Sequence, residues 1–189
     1  MCIRDRAGVG LFFNNSSNAI TPYDVNGQSQ TDADVDLGVG SVRFKDLYLS
    51  GGAYLGGTGS DNKLDDYEEG TCTITLSATN TAPTITQGNT FSAKYTKVGN
   101  MVTVEGYTGG KNITNVGVGI VKLTGLPFVN ANSYYGVVKF THNTMFNAMD
   151  GYIESGQQYF YPIGSGNLSG VSYLSGNVYL MFSVTYLAT

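Results

Sequence analysis

The 189-residue chain has no tryptophan, one histidine, two cysteines and four prolines, and only 13% of its residues are charged. Soluble domains average about 25% charged residues, and long surface helices are built from such residues and from straight-chain side chains. The composition therefore argues against a helical protein. No apolar run approaches the ~20 residues of a membrane-spanning helix, so no membrane insertion is expected. Cys2 and Cys72 lie far apart and form no Cys-x-x-Cys, which supports neither a zinc site nor a disulfide framework. No basic stripe of the kind that neutralises phosphates is present, and nucleic acid is not an expected partner. Gly-x-Ser-x-Gly is missing, as are the glycine patterns that cradle phosphates; Gly117-Val118-Gly119 and Gly164-Ser165-Gly166-Asn167 lack the required framing.

What the chain does have is 26 Gly, 20 Thr, 16 Asn, 15 Ser, 14 Tyr and 9 Phe, residues suited to strands and turns. Charge is uneven: residues 1–70 hold 11 of the 14 acidic side chains and 5 of the 10 basic ones. Texture changes along the chain as well. The opening Met1-Cys2-Ile3-Arg4-Asp5-Arg6 has no apolar core, so it is not a secretory signal; it reads as a spurious start on a fragment and is set aside from the fold. Up to residue 66 short apolar bursts (Val9 to Phe13, Val42 to Leu49, Ala53 to Leu55) alternate with Gly, Asn, Asp and Ser clusters. Tyr48-Leu49-Ser50-Gly51-Gly52 is echoed by Tyr54-Leu55-Gly56-Gly57, a short repeat of the kind that stacked short strands would show. So little core calls for a neighbour, and the simplest is another copy of the chain, which predicts an extended, glycine-rich fibrous segment in an intertwined oligomer. A single copy should then leave Leu and Tyr exposed in this region.

Asp61 to Gly70 reads as a polar connector, and a compact β domain follows. Phe91 to Val98 and Met101 to Tyr107 flank the turn pair Gly99-Asn100, a hairpin signal. Ile120 to Leu123, Tyr134 to Thr141 and Gln158 to Ile163 read as further strands. In Asn177 to Leu187, the residues Val178, Leu180, Phe182, Val184 and Tyr186 share one face. About seven strands at this spacing predict an antiparallel β-sandwich or jelly-roll head over 67–189, after a shaft segment over 1–66.

Three stretches resemble the distal part of tail fibres from bacteriophages of aquatic bacteria: Asp36-Leu37-Gly38, Ser41 to Gly51 (SVRFKDLYLSG) and Leu64 to Thr71 (LDDYEEGT). Tyr95 to Val102 (YTKVGNMV) and Gly125-Leu126-Pro127-Phe128 are similar to recurring pieces of the head of such fibres. The resemblance implies a homotrimeric fibre in an extracellular virion. Its tip would attach to a host surface glycan or outer-membrane protein, and its remainder would join other tail proteins. The family pattern places Trp after Glu-Gly-Thr; here Cys72 stands there, so the junction of shaft and head must pack differently.

Candidate chemistry is sparse, and no cofactor is expected. Among Asp61, Asp65, Asp66, Glu68 and Glu69, the residues Asp65, Asp66 and Glu68 are weak cation candidates, but they lack EF-hand spacing, and a solvated connector is the preferred reading. His142 would have to serve any Ser-His-Asp arrangement and reads instead as a strand-end residue. A glycan-cleaving pair of carboxyl groups would have to come from Glu105, Asp150 and Glu154; Asp150-Gly151 and Ser155-Gly156 are turn-like, so this segment reads as a surface loop and no enzyme is expected. Aromatics are the better tools, because sugar rings stack on tyrosine while Asn, Asp and Gln pair with hydroxyls. Tyr134, Tyr135, Tyr152, Tyr159, Tyr161 and Tyr173 lie near Asn132, Asn147, Asp150, Gln157, Gln158 and Asn167. The receptor-binding candidates are Tyr134, Tyr135, Asn143, Asn147, Asp150 and Tyr152; Tyr161, inside a strand pattern, is assigned to structure. Two competing readings are a purely structural virion protein whose head trimerises and caps the fibre, and a secreted bacterial adhesin.

Overall fold

The computed structural model describes residues 2–4, 8–164 and 171–189. The chain divides into two compact units, Met1–Ser50 and Gly51–Thr189. In the first, β1 (Cys2–Arg4), β2 (Val9–Asn14), β3 (Ala19–Asp24) and β4 (Ser29–Gln30) form an antiparallel meander. Its turns are closed by side chains. Asn14 Oδ1 accepts from Ser16 N at 3.0 Å, and the Asp24 carboxylate accepts from Asn26 N at 2.8 Å and Gly27 N at 2.9 Å. Phe12 and Tyr23 stack across β2 and β3. Cys2–Arg4, set aside at the sequence level, pairs with Gly10–Phe12. Beyond this meander the unit has almost no core: every residue from 41 to 50 is exposed, Val42 at 70% and Tyr48 at 90%. The Val42 to Leu49 burst forms no strand beyond an isolated Val39–Val42 bridge.

The second unit begins with β5 (Ala53–Tyr54) and β6 (Lys63–Leu64), a short hairpin. Of the two repeats expected as short strands, Tyr48-Leu49 forms none, while Tyr54 lies in β5 and pairs with Lys63. Next come β7 (Tyr67–Ala78), β8 (Thr84–Ile85), β9 (Thr90–Val98), β10 (Met101–Tyr107), β11 (Lys111–Asn115) and β12 (Val121–Thr124). The last five are β13 (Gly136–Thr141), β14 (Asp150–Ile153), β15 (Tyr159–Ile163), β16 (Gly176–Val178) and β17 (Met181–Leu187).

Eight of these close into an antiparallel barrel in the order β10-β17-β13-β14-β15-β12-β7-β9. The all-β expectation holds, but hydrogen bonding runs unbroken around the ring, so the strands form a barrel and not the two facing sheets of a sandwich or jelly roll. Closure leaves no edge strand to protect. Two further expectations are corrected. Tyr67 to Gly70 is not connector but the start of the twelve-residue β7, paired with β9 from Tyr67–Val98 onward. Asp150-Gly151 is not a loop but opens β14, with Gly151 and Ile153 facing inward and Asp150 and Tyr152 outward. The glycine that looked like a turn signal is instead where backbone passes close: a Cβ there would lie 2.3 Å from Tyr161 O.

The barrel interior is full. Ile74, Leu76, Val102, Val104, Val138, Phe140, Ile153, Phe160, Phe182 and Val184 are buried in one cluster. Eight strands give an interior just wide enough for side chains, so large residues must face small ones. Register delivers this directly: Gly70 stands opposite Tyr95, Gly106 opposite Phe182, and Gly136 opposite Ile153. A Cβ on any of the three would come within 2.6 Å of the opposing side chain. These three glycines therefore serve core packing, whereas Gly99, Gly109, Gly125 and others in this half take the positive φ of turns.

At one end, three barrel strands run on into a smaller sheet ordered β16-β11-β8. The long strand expected over Asn177 to Leu187 keeps its buried face, Val178 through Tyr186, but breaks between β16 and β17. Thr108 sits at the break: its N–H donates to Leu180 O at 3.0 Å and its hydroxyl accepts from Leu180 N at 2.9 Å. The β9–β10 hairpin turns at Gly99-Asn100 as expected, with Gly99 at φ +58°.

Candidate functional site

With the interior filled, chemistry is left to the outer face and the loops. Along β14, inward Gly151 and Ile153 put Asp150 and Tyr152 outside. The register then aligns Val137, Tyr152 and Tyr161 across β13, β14 and β15. Tyr135, just before β13, brings its ring centroid to 6.0 Å from Tyr152. Tyr152 lies 5.9 Å from Tyr161, and Tyr161 lies 5.2 Å from Tyr159 in an edge-to-face contact. Lys122 Nζ stands 4.6 Å above the Tyr159 ring, a cation–π contact. The Glu154 carboxylate accepts from Tyr159 OH at 3.1 Å and more weakly from Tyr152 OH at 3.4 Å. Burial and the neighbouring Glu154 charge push both phenols above their usual range, so both stay protonated as donors. The result is a strip of four tyrosines on the outer face with one carboxylate and one ammonium beside it.

The strip is anchored from below. Asn130, fully buried, donates through Nδ2 to Tyr134 O at 2.8 Å and to Glu154 O at 3.1 Å. One carboxamide therefore ties the Tyr134-Tyr135 segment to the end of β14. Ser133 N–H donates to Ser155 Oγ at 2.8 Å, and Ser133 holds φ +69°, a strained value for a non-glycine residue.

Of the residues singled out in the sequence, Tyr135 and Tyr152 meet here, both with solvent-accessible surface, Tyr135 at 68%. Tyr134 is exposed but makes none of these ring contacts. Tyr161, assigned to structure, does belong to this strip; it is buried between Tyr152 and Tyr159 although it points outward, because Phe160 takes the inward position. Tyr159 and Lys122 also join it. Strand patterning alone could have placed them together only once the pairing of β12 with β15 was known. Tyr173, by contrast, is core, its hydroxyl donating to Ser77 O at 2.9 Å.

Asn143 is used by its own loop: Nδ2 donates to Phe146 O and Ala148 O, and Oδ1 accepts from Met145 N at 2.9 Å. Asn147 is exposed beside a shallow depression of about 330 Å³ that Asp150 and Ile163 also line. Asp150 is paired with Lys139 at 2.7 Å. Asn167 lies outside the described residues. His142 follows β13 at φ +41° with its ring 4.8 Å from Tyr179. A second surface groove of about 410 Å³ is lined by Lys94, Glu105, Tyr107, Lys139, Thr141 and Met181.

The acidic stretch is divided among separate partners. Lys63 at 2.8 Å holds the Asp65 carboxyl below its usual range. Asp66 pairs with Lys97, Glu68 accepts from Tyr95 OH, and Glu69 accepts from Tyr67 OH. Among the described residues no group of three or more His, Cys, Asp or Glu converges as a metal site. Cys72 packs against the core near Tyr95, and burial pushes its thiol up. Tyr95 and Phe128, from the two head pieces of the fibre resemblance, touch edge-to-face at 5.5 Å. No protein-family model, no curated protein and no solved structure matches this chain.

Proposed function

We propose that this chain is the distal part of a bacteriophage tail fibre, a virion component working outside the cell as a homotrimer joined to other tail proteins, and that its head binds a host surface receptor without catalysis. The observation that carries the reading is the display of tyrosines on the outside of a barrel whose interior is filled. Among the described residues the barrel interior is filled by side chains, and the aromatic and polar groups free to meet a partner lie on its outer face. Outward tyrosines supply rigid, amphipathic contact area at low entropic cost. The sequence resemblance over residues 36–71 supports the fibre context. Three copies would turn weak contacts into useful avidity.

The test is binding of the full chain to a panel of bacterial cells, read by flow cytometry of labelled protein. Saturable binding to some cells and not others supports the reading; absence of binding to every strain, with the trimer intact, favours the second. That second reading, a structural protein that trimerises and closes the fibre, draws on the exposed run from Leu37 to Leu49, which serves assembly whether or not the head binds anything.

A further inference from the structure

We propose that the outer face of β13, β14 and β15 is a stacking platform for a neutral oligosaccharide, with Tyr135 and Tyr152 as the stacking rings, Glu154 as the acceptor for a sugar hydroxyl and Tyr161 as the residue that positions Tyr152. The proposal rests on the receptor-binding reading and names its ligand class and site. Tyr135 is exposed and Tyr152 half-buried, and their rings are tilted by 42° rather than stacked face to face. Tyr161, buried and 5.9 Å from Tyr152, stands behind it as a buttress. Asn130 fixes the backbone on both sides of the pair, which removes ordering cost at binding.

The chemistry selects the occupant. One carboxylate, Glu154, and one ammonium, Lys122, flank the rings, so the face has no net charge with which to hold an ionic ligand. The next outward positions along the strands, Lys139 and Asp150, neutralise each other and bound the platform with a polar row. A saccharide needs only an aromatic face and nearby hydrogen-bonding groups, both of which are here.

The full chain lacks tryptophan, so its emission comes from its 14 tyrosines, of which Tyr135, Tyr152, Tyr159 and Tyr161 lie on this face. It should be titrated with cellotetraose, laminaritetraose, mannotetraose and chitotetraose, with dextran sulfate as the charged comparison. At least one neutral tetrasaccharide should quench emission saturably. Tyr152→Ala should weaken that binding about tenfold, the usual scale for losing an aromatic anchor. Tyr161→Ala, which removes the buttress, should weaken it as well and Tyr161→Phe, which keeps the ring, should restore it, whereas Tyr107→Ala, exposed on β10 away from the platform, should change it less than about twofold, with unfolding temperatures checked for each. Failure of all four neutral sugars to saturate, or a preference for dextran sulfate, overturns the proposal, as does binding that survives Tyr152→Ala. Cell binding that withstands periodate oxidation of the cell surface would remove the glycan while leaving the receptor reading intact. Absence of cell binding would remove the receptor reading itself.

Discussion

At the scale of single residues, the buried polar groups carry clear expectations. Lys111 is only 6% exposed, yet its ammonium donates to Gly88 O and Thr90 O, each at 3.1 Å. It therefore staples the segment between β8 and β9 to β11. Lys111→Met keeps the stem but leaves two carbonyls without their donor, and should cost about 1–3 kcal/mol in denaturant unfolding. Tyr173 gives a pH expectation. Burial raises its phenol above the ordinary value. Tyr186 is raised by burial in the same sense. A group whose folded pKa exceeds its unfolded one stabilises fully below the unfolded value, near pH 10, and loses that contribution as pH rises toward the folded value. Stability should thus be level between neutrality and about pH 9, then fall in alkali. Tyr173→Phe should remove one proton's share of the slope, about 1.4 kcal/mol per pH unit, when unfolding midpoints are followed from pH 9 to 11.5. An unchanged alkaline slope in Tyr173→Phe would deny that phenol its part. Neither role was legible beforehand: Lys111 follows two glycines and looks like ordinary surface charge, and its carbonyl partners sit more than twenty residues upstream.

At the scale of elements, what could be read locally was read. The β9–β10 hairpin follows from Gly99-Asn100 between two alternating runs, and the buried face of β17 follows from Phe182, Val184 and Tyr186 at period two. Barrel closure was not legible, because alternation is the same in a sandwich and a barrel. What separates them is which distant strands meet, such as Met101 with Leu187 and Val121 with Ala78. The same limit hid the tyrosine strip: Tyr161 sat in a visible strand, but its outward parity was set by Phe160 filling the interior. The small-large pairing across strands gives the element-scale prediction. A Cβ at Gly106 would lie 2.6 Å from the Phe182 ring, which is itself held between Phe91 and Phe160. Gly106→Ala should therefore destabilise by about 1–3 kcal/mol through overpacking. Phe182→Leu will cost stability alone, but in the double variant the two losses should add to less than their sum, because the leucine frees the space the new methyl needs. Strict additivity in a double-mutant cycle would show that the pair does not share that space.

At the scale of the molecule, the contrast is between a unit with a full core and a stretch with none. In Met1–Ser50 the meander β1–β4 is followed by a run in which Leu37, Val39, Val42, Phe44, Leu47 and Tyr48 are all more than half exposed. Exposed apolar side chains in such a run are what an interface between copies of the chain would cover, and copies of the same chain are the partner that the proposed fibre requires. Light scattering of the full chain across a concentration range should give three times the 20.1 kDa chain mass. Replacing Phe44 and Leu47 together by Asp adds six like charges to a threefold contact and should shift the mass toward one chain. The alternating barrel core contains neither residue, so the head's thermal transition should persist in that variant. A wild-type chain that stays at 20.1 kDa at every concentration, with a cooperative transition, would withdraw the trimer and with it the avidity on which weak glycan contacts depend. A trimer that survives both aspartates would move the assembly surface elsewhere, and the outer face of the barrel, with Val98, Met101 and Tyr67 exposed, is the next place to substitute.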